Sequence, residues 1–260
     1  MNISRIRAAK AERRPIAVLT AYEAGFARVA AEAGVDAFLV GDSLGMVVQG
    51  RRDTLAVTVA EMAYHTAMVR RGAPQALVIA DMPFLADATS ERALEAAAAL
   101  MKEGGADMVK LEGGAEKAGV VETLTAAGVP VCGHVGLLPQ QVRKLGGYRV
   151  QGRDQAGARR ILEDAVALER AGVDLLVVEC VPRELGRALT QAVDVPVIGI
   201  GAGPDTDGQV LVMHDMLGLN DRPPRFVRDF MPGAGSVAAA FAAYVEAVRS
   251  RGFPAEDESF

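Results

Sequence analysis

Four acidic residues stand where a short apolar run gives out: Asp42 after DAFLV, Asp81 in ALVIAD, Glu112 in MVKLE and Glu179 in LLVVE. A carboxylate so placed can bind a cation or move a proton, provided that each run is a strand and the strand ends meet. Strand residues alternate between two faces. On that alternation Asp42 shares a face with Val40 and Phe38, Asp81 with Ile79 and Leu77, and Glu112 with Lys110 and Met108. His134 likewise goes with Cys132, and Glu179 with Val177. With the terminal acids facing inward, successive strands deliver Asp42, Asp81 and Glu112 to one rim. Three carboxylates together repel one another unless a cation sits between them. Oxygen-only donors favour a hard ion, most simply Mg²⁺. Zinc calls for His or Cys, and no HxH, HExxH or CxxC spacing occurs. Lys110, one pleat deeper than Glu112, is then a buried cation beside that rim, suited to a substrate carboxylate or an enolate oxygen.

Each residue also has a plainer reading. Asp42 alone fits a helix cap or turn former. Lys110 fits a salt-bridge partner, His134 a hydrogen-bonded core residue, and His65 a packing position on the helix VAEMAYHTAMVRRG. Cys132 and Cys180 read as buried, inert thiols. Against these stands the coincidence of several acids at equivalent strand ends.

The elements that must position them are regular. Apolar runs recur at 16–22, 37–43, 76–82, 108–113, 129–136, 175–180 and 195–203, with a weaker eighth, QVLVMHDM, at 209–216. Alanine-rich helical patterns lie between them. Runs without polar alternation are buried on both faces, as in a parallel sheet covered by helices. AGVDAFLVGD, GGADMVKLEG and AGVDLLVVEC repeat one helix-to-strand junction, each with a helix-ending glycine. Seven or eight such units predict an α/β fold, a (βα)8 TIM-type barrel. An open doubly wound sheet is disfavoured because no GxGxxG follows the first strand. No linker divides the chain, so residues 1–260 are expected to form a single (βα)8 barrel domain with a short polar C-terminal tail, GFPAEDESF.

Bulk composition sets outer limits. The 260 residues suffice for one large core. A net charge of -5 without a basic run argues against nucleic-acid binding. Two cysteines make no disulfide framework, and a reduced, cytoplasmic setting is expected. The basic N-terminus lacks the apolar core of a signal peptide, and no stretch reaches the roughly eighteen apolar residues of a membrane span. A soluble, unprocessed chain is expected, its partners being small-molecule substrates rather than a membrane.

Specific strings go further. VGDSLGMVVQG (40–50), VTVAEMAYHTAMVRRGAP (57–74), ADMPF (80–84), VKLEGG (109–114) and VPVCGHVGLLPQ (129–140) occur in order, followed by GGYRVQGR (146–153), LLVVECVP (175–182), VPVIGIGAG (195–203) and DGQVLVMHDMLG (207–218). Together they resemble the ketopantoate hydroxymethyltransferases of pantothenate biosynthesis, from about Tyr22 to the tail. The resemblance implies a (βα)8 barrel that transfers a hydroxymethyl group from 5,10-methylenetetrahydrofolate to α-ketoisovalerate through a Mg²⁺-stabilised enolate, giving ketopantoate. It places one Mg²⁺ per subunit on Asp42, Asp81 and Glu112, and 2-oxoacid contacts on Ser43, Lys110 and the two aspartates. It makes Glu179 the catalytic carboxylate and implies a homo-oligomer, a decamer. The N-terminal segment, the helix after strand 4 and the loop NDRPPR diverge from the family's strings.

The residue types suit that chemistry. A carboxylate in an apolar barrel mouth becomes a stronger base, which suits Glu179. Lys110 and the Ser43 hydroxyl can donate to charged oxygens. His134 is assigned to relaying a proton or positioning water, and Tyr22 to the border of the substrate pocket. Loops GLLPQQVRKLGGYRVQGR and GIGAGPDTDG are expected to present the folate surface. A rival class, the isocitrate lyase and phosphonomutase group, is suggested by Cys132-Gly133-His134. That trio lacks the preceding lysine pair and lies inside a predicted strand. A non-catalytic scaffold would need no buried acids.

Overall fold

The computed structural model describes residues 2–260. Eight parallel strands close a barrel in sequence order. They are β1 (Ile16–Thr20), β2 (Ala37–Val40), β3 (Leu77–Asp81), β4 (Met108–Glu112), β5 (Val131–Gly136), β6 (Leu175–Glu179), β7 (Val197–Ile200) and β8 (Gly208–Leu211). Closure is by β8 against β1, with Val210 opposite Val18. Among the described residues the α-helices are α1 (Ile3–Ala11), α2 (Ala24–Glu32), α3 (Leu44–Val47), α4 (Val59–Gly72), α5 (Ser90–Lys102), α6 (Ala118–Ala126), α7 (Val142–Leu145), α8 (Gln155–Ala171), α9 (Arg183–Ala192), α10 (Met213–Met216) and α11 (Val237–Arg249). Their ends carry local signals. Thr58 and Glu61 form a capping box on α4, and Asp154 caps α8, which stops at the left-handed Gly172.

Alternation sorts each strand into an interior and a helix-facing set. In β3 to β6, Leu77, Ile79, Met108, Cys132, Leu175 and Val177 pack inside the barrel, so Asp81, Lys110, Glu112, His134 and Glu179 continue the interior face as expected. Strand β2 corrects its expectation. Ala37 and Leu39 are interior, while Phe38 and Val40 pack against the helices, so a regular strand would send Asp42 outward. Instead β2 ends at Val40, the chain turns at Gly41, and Asp42 borders the central cavity. A Cβ at Gly41 would stand 2.7 Å from Ser43 Oγ, so a larger residue there would displace that hydroxyl.

A clamp ties strands in pairs at the opposite end of the barrel. Asp36, Asp107, Asp174 and Asp207 each immediately precede an even-numbered strand. Each backbone N–H donates to the carbonyl of Ala17, Val78, Val131 and Val197 respectively, at 2.7–2.9 Å. Each carboxylate accepts from the N–H of that same residue, at 2.9–3.1 Å. Each also faces a cation: Arg14, Arg70, Arg7 and Lys10 in turn. Helix α1 supplies Arg7 and Lys10, and its fully buried Ile6 and Ala9 plug the barrel floor against the interior cluster.

Three further expectations change. The seventh unit has no helix: residues 201–207 return the chain directly to β8. The eighth apolar run is a strand only to Leu211, with α10 taking Met213–Met216. The tail is not a polar appendage either. Phe253 packs edge-on against Phe230 and Tyr244, and the Phe260 carbonyl accepts from Arg183 N–H at 2.8 Å.

Candidate active site

The C-terminal strand ends open into a cavity of about 950 Å³. Its floor is polar and buried. Asp42, Asp81, Lys110, Glu112 and His134 are each no more than 5% exposed, and Ser43 and Glu179 share the wall. Strand register explains the neighbours. Asp81 lies opposite Lys110, and Glu112 opposite His134. Lys110 Nζ stands 2.8 Å from Asp81 Oδ1 and 3.2 Å from His134 Nδ1. Burial disfavours the Lys110 ammonium, but Asp81, Glu112 and Asp42 outweigh it and hold its pKa above the ordinary value.

Lysine has only protons to offer, so His134 Nδ1 must accept and Nε2 must carry the hydrogen. Nε2 stands 3.2 Å from Glu179 Oε2. Burial and the Lys110 charge keep the His134 pKa well below its usual value, so the ring is neutral. Burial pushes Glu179 up to about 8, with Lys110 acting in the other direction. The chain turns sharply after it, with Cys180 in the left-handed region at φ 47°.

Asp42 does not cap a helix with its side chain. Ser43 holds the cap position of α3 without a side-chain bond, and Asp42 Oδ2 instead accepts from Gln140 Nε2 at 2.9 Å. The Gln140 backbone N–H donates to Glu112 Oε2 at 3.0 Å, and its side chain also reaches the Met82 carbonyl. Gln140 therefore ties two of the acids to each other, a role that sequence reasoning missed. Its signal was the end of the string VGLLPQ, where a polar residue follows Pro139 beside the strand end. Asp81 Oδ2 accepts from Asp42 N–H at 3.1 Å. Tyr22 stands behind the wall instead of lining it: its hydroxyl meets Ser43 Oγ at 2.8 Å, and its carbonyl contacts His65 Nδ1 at 2.7 Å. Cys132 is enclosed in the barrel core, its thiol pushed up to about 12 by burial, and Cys180 is shifted upward for the same reason.

The donor set fits a hard cation in charge and type. Three buried acids, Asp42, Asp81 and Glu112, and the partly exposed Glu179 face the Lys110 ammonium. Burial, then the Asp81 charge, raise Asp42 to about 7, and burial raises Glu112 well above its ordinary value. A divalent ion would relieve that excess. Among the described residues, though, no three acidic, His or Cys side chains converge on one chelation point, Lys110 being set against Asp81.

Above this floor the walls change. Tyr148, Arg149 and Arg153 come from the segment after β5. The loop GIGAGPDTDG contributes only Ile200, because it folds back toward β8. Its place is taken by Arg222, Arg225 and Phe226 from the divergent NDRPPR region and by Phe260 of the tail.

Comparison with known proteins agrees with this architecture. The sequence profile of the Ketopantoate hydroxymethyltransferase family matches residues 1–256. The 3-methyl-2-oxobutanoate hydroxymethyltransferase of Halorhodospira halophila is 57% identical over 260 residues, covering 100% of this chain and 94% of the relative. That of Idiomarina loihiensis is 55% identical, covering 100% and 97%. Among solved structures, a phosphoenolpyruvate phosphomutase from Streptomyces platensis subsp. rosaceus superposes with TM-score 0.63 at 16% identity, covering 84% of this chain and 82% of its own. A 2,3-dimethylmalate lyase of the PEP mutase/isocitrate lyase superfamily gives 0.58 at 17%, covering 98% and 90%. These two likenesses concern the fold alone. Matched in profile and by full-length relatives more than half identical, this chain belongs to the ketopantoate hydroxymethyltransferase family of enzymes.

Proposed function

We propose that this enzyme transfers a hydroxymethyl group from 5,10-methylenetetrahydrofolate to α-ketoisovalerate (3-methyl-2-oxobutanoate), forming ketopantoate, with one Mg²⁺ held by Asp42, Asp81 and Glu112. The names of its relatives support the product, and the polar floor supports a small 2-oxoacid. The observation that carries the mechanism is Glu179, a carboxylate only 14% exposed and raised to about 8, beside a neutral histidine. A base of that strength is matched to proton transfer near neutral pH.

The roles follow from placement. Lys110 and the Ser43 hydroxyl donate to the substrate's charged oxygens, Ser43 being oriented by Tyr22. Glu179 takes the single C3 proton, and His134 Nε2 stands 3.2 Å from its Oε2. The electron pair left on C3 forms the new bond to the donor's one-carbon unit, water supplies the hydroxyl, and tetrahydrofolate leaves. The chemistry that Mg²⁺ supplies when bound is Lewis acidity at the keto oxygen. Apolar Val177, Ile200 and Val210 line the same cavity as Glu179 and lower the polarity around it.

The test is an assay of ketopantoate formation from α-ketoisovalerate and 5,10-methylenetetrahydrofolate, with added Mg²⁺ or with EDTA. Product only with both donor and Mg²⁺ supports the reading. Turnover undiminished by EDTA contradicts the metal, and no product under any condition contradicts the transfer.

A further inference from the structure

The loop between α3 and α4 sends one uncharged donor into the acidic floor. Its Arg52 and Ala56 are exposed, but Thr54 between them is only 2% exposed and lines the cavity. Thr54 Oγ1 is buried and, among the described residues, has no hydrogen-bond partner. Native proteins rarely leave a buried hydroxyl unpaired, so an orphan of this kind calls for an acceptor. The other buried orphans are engaged by charge or lie elsewhere. Asp81 Oδ1 stands 2.8 Å from Lys110 Nζ, and His134 Nε2 stands 3.2 Å from Glu179 Oε2. Gln49 and His214 do not line the cavity.

The acceptor within reach is Asp42. Burial and the Asp81 charge raise its pKa, while Lys110, Gln140 and the Thr54 hydroxyl act in the other direction, as donors to a carboxylate do. A threonine hydroxyl has one proton to give and rotates to suit its acceptor. The backbone beneath it is fixed. Asp53 Oδ2 accepts from Arg143 at 2.9 Å, and Asp53 Oδ1 accepts from Leu55 N–H at 3.2 Å. Helix α3 packs directly on the loop, since a Cβ at Gly45 would stand 3.3 Å from the Asp53 carbonyl oxygen and 3.6 Å from Thr54 Cα. Arg143 lies in the same segment as Gln140, whose Nε2 donates to Asp42 Oδ2 at 2.9 Å. The Asp53–Arg143 pair therefore latches together the two loops whose side chains act on Asp42.

We propose that Thr54 is a positioning residue for Asp42: its hydroxyl donates to that carboxylate and fixes the orientation in which a divalent cation is held. The inference rests on the Mg²⁺ site proposed above. A hydroxyl that only fills space is replaceable by a methyl group, and removing an orphan of this kind relieves the fold of an unpaired polar atom. A donor that orients a ligating acid is not replaceable in that way, and its loss weakens the cation site without weakening the fold.

The test measures Mn²⁺ binding by electron paramagnetic resonance, with and without α-ketoisovalerate, Mn²⁺ being a spin probe that takes the same oxygen donors as Mg²⁺. It uses the full chain, Thr54→Val and Thr54→Ser, and thermal denaturation of each without metal. The expected result is about tenfold weaker Mn²⁺ binding by Thr54→Val in both conditions, at a Tm no lower than the parent's. Thr54→Ser, which keeps the donor, should bind close to the parent's affinity. An unchanged affinity in Thr54→Val would overturn the positioning role while leaving the cation site intact. A loss confined to samples with α-ketoisovalerate would assign the hydroxyl to the 2-oxoacid and overturn it too. A loss that comes with a lowered Tm and is not restored in Thr54→Ser would reduce Thr54 to packing. No Mn²⁺ binding by the unaltered enzyme would overturn the cation site and the proposal together.

Discussion

Glu179 gains its basicity from its surroundings: burial disfavours the carboxylate, and Lys110 offsets only part of that effect. The proton-accepting form therefore grows as pH rises through about 8. The expected profile of kcat/KM for α-ketoisovalerate rises about tenfold per unit below that point and levels above it. A flat profile from pH 6 to 9 would remove Glu179 from the role of base. Gln140 sets a second residue-scale expectation, because one side chain orients Asp42 while its backbone holds Glu112. Gln140→Leu is expected to weaken Mg²⁺ binding about 10–100-fold, the usual cost of losing a group that orients a ligand. Calorimetric titration with Mg²⁺ and α-ketoisovalerate reads this, and an unchanged affinity would contradict it. The difference in legibility between these two residues is physical. Glu179 ends an apolar strand and shows its face by alternation, whereas Gln140 follows a proline in irregular chain, where no period marks direction.

The elements are held in register by acids at the strand beginnings, not only at the ends where the chemistry gathers. Each of the four clamping aspartates fastens its own strand to the preceding one through both its N–H and its carboxylate. Asp174→Ala removes two charge-assisted contacts, to Val131 N–H and Arg7, from a side chain only 16% exposed. The expected loss is about 1.5–3 kcal/mol, read as a lower urea midpoint at unchanged slope. A midpoint within error of the parent would show that the clamp is redundant. The repeats AGVDAFLVGD, GGADMVKLEG and AGVDLLVVEC already carried this unit in their central aspartate, although alternation draws attention to the acid at the far end. Where alternation failed was β2. A strand of four residues leaves the phase of Asp42 to the turn at Gly41, and turn geometry is not periodic. The missing seventh helix escaped for a related reason: a loop and a short helix between two strands look alike when glycine and proline interrupt the pattern.

At the scale of the whole molecule the barrel has one closed end and one open end. Helix α1 closes the first with Ile6 and Ala9, and its Lys10 ammonium caps the carbonyls of Thr190, Val193 and Val195 at 2.8–2.9 Å. Ile6→Ala should cost about 2–5 kcal/mol, the range for emptying a buried site. It lies at the opposite end from the cavity, so thermal denaturation should show a lower Tm while KM for α-ketoisovalerate at 25 °C stays unchanged. An altered KM would mean that the two ends are coupled. The closed barrel and the buried acids were legible in the sequence because apolar runs and their ends recur. The mouth was not, since Arg222, Arg225 and Phe260 reach it through irregular segments that fold back across a long stretch of chain. The central claim is that the polar floor removes the C3 proton of α-ketoisovalerate with Glu179 as base. Proton NMR in D₂O with Mg²⁺ and no folate measures that step alone. The unaltered enzyme should erase the C3 proton signal and collapse the methyl doublet, while Glu179→Gln, still binding the 2-oxoacid, should leave both intact. Exchange at the parent rate in Glu179→Gln would contradict the account.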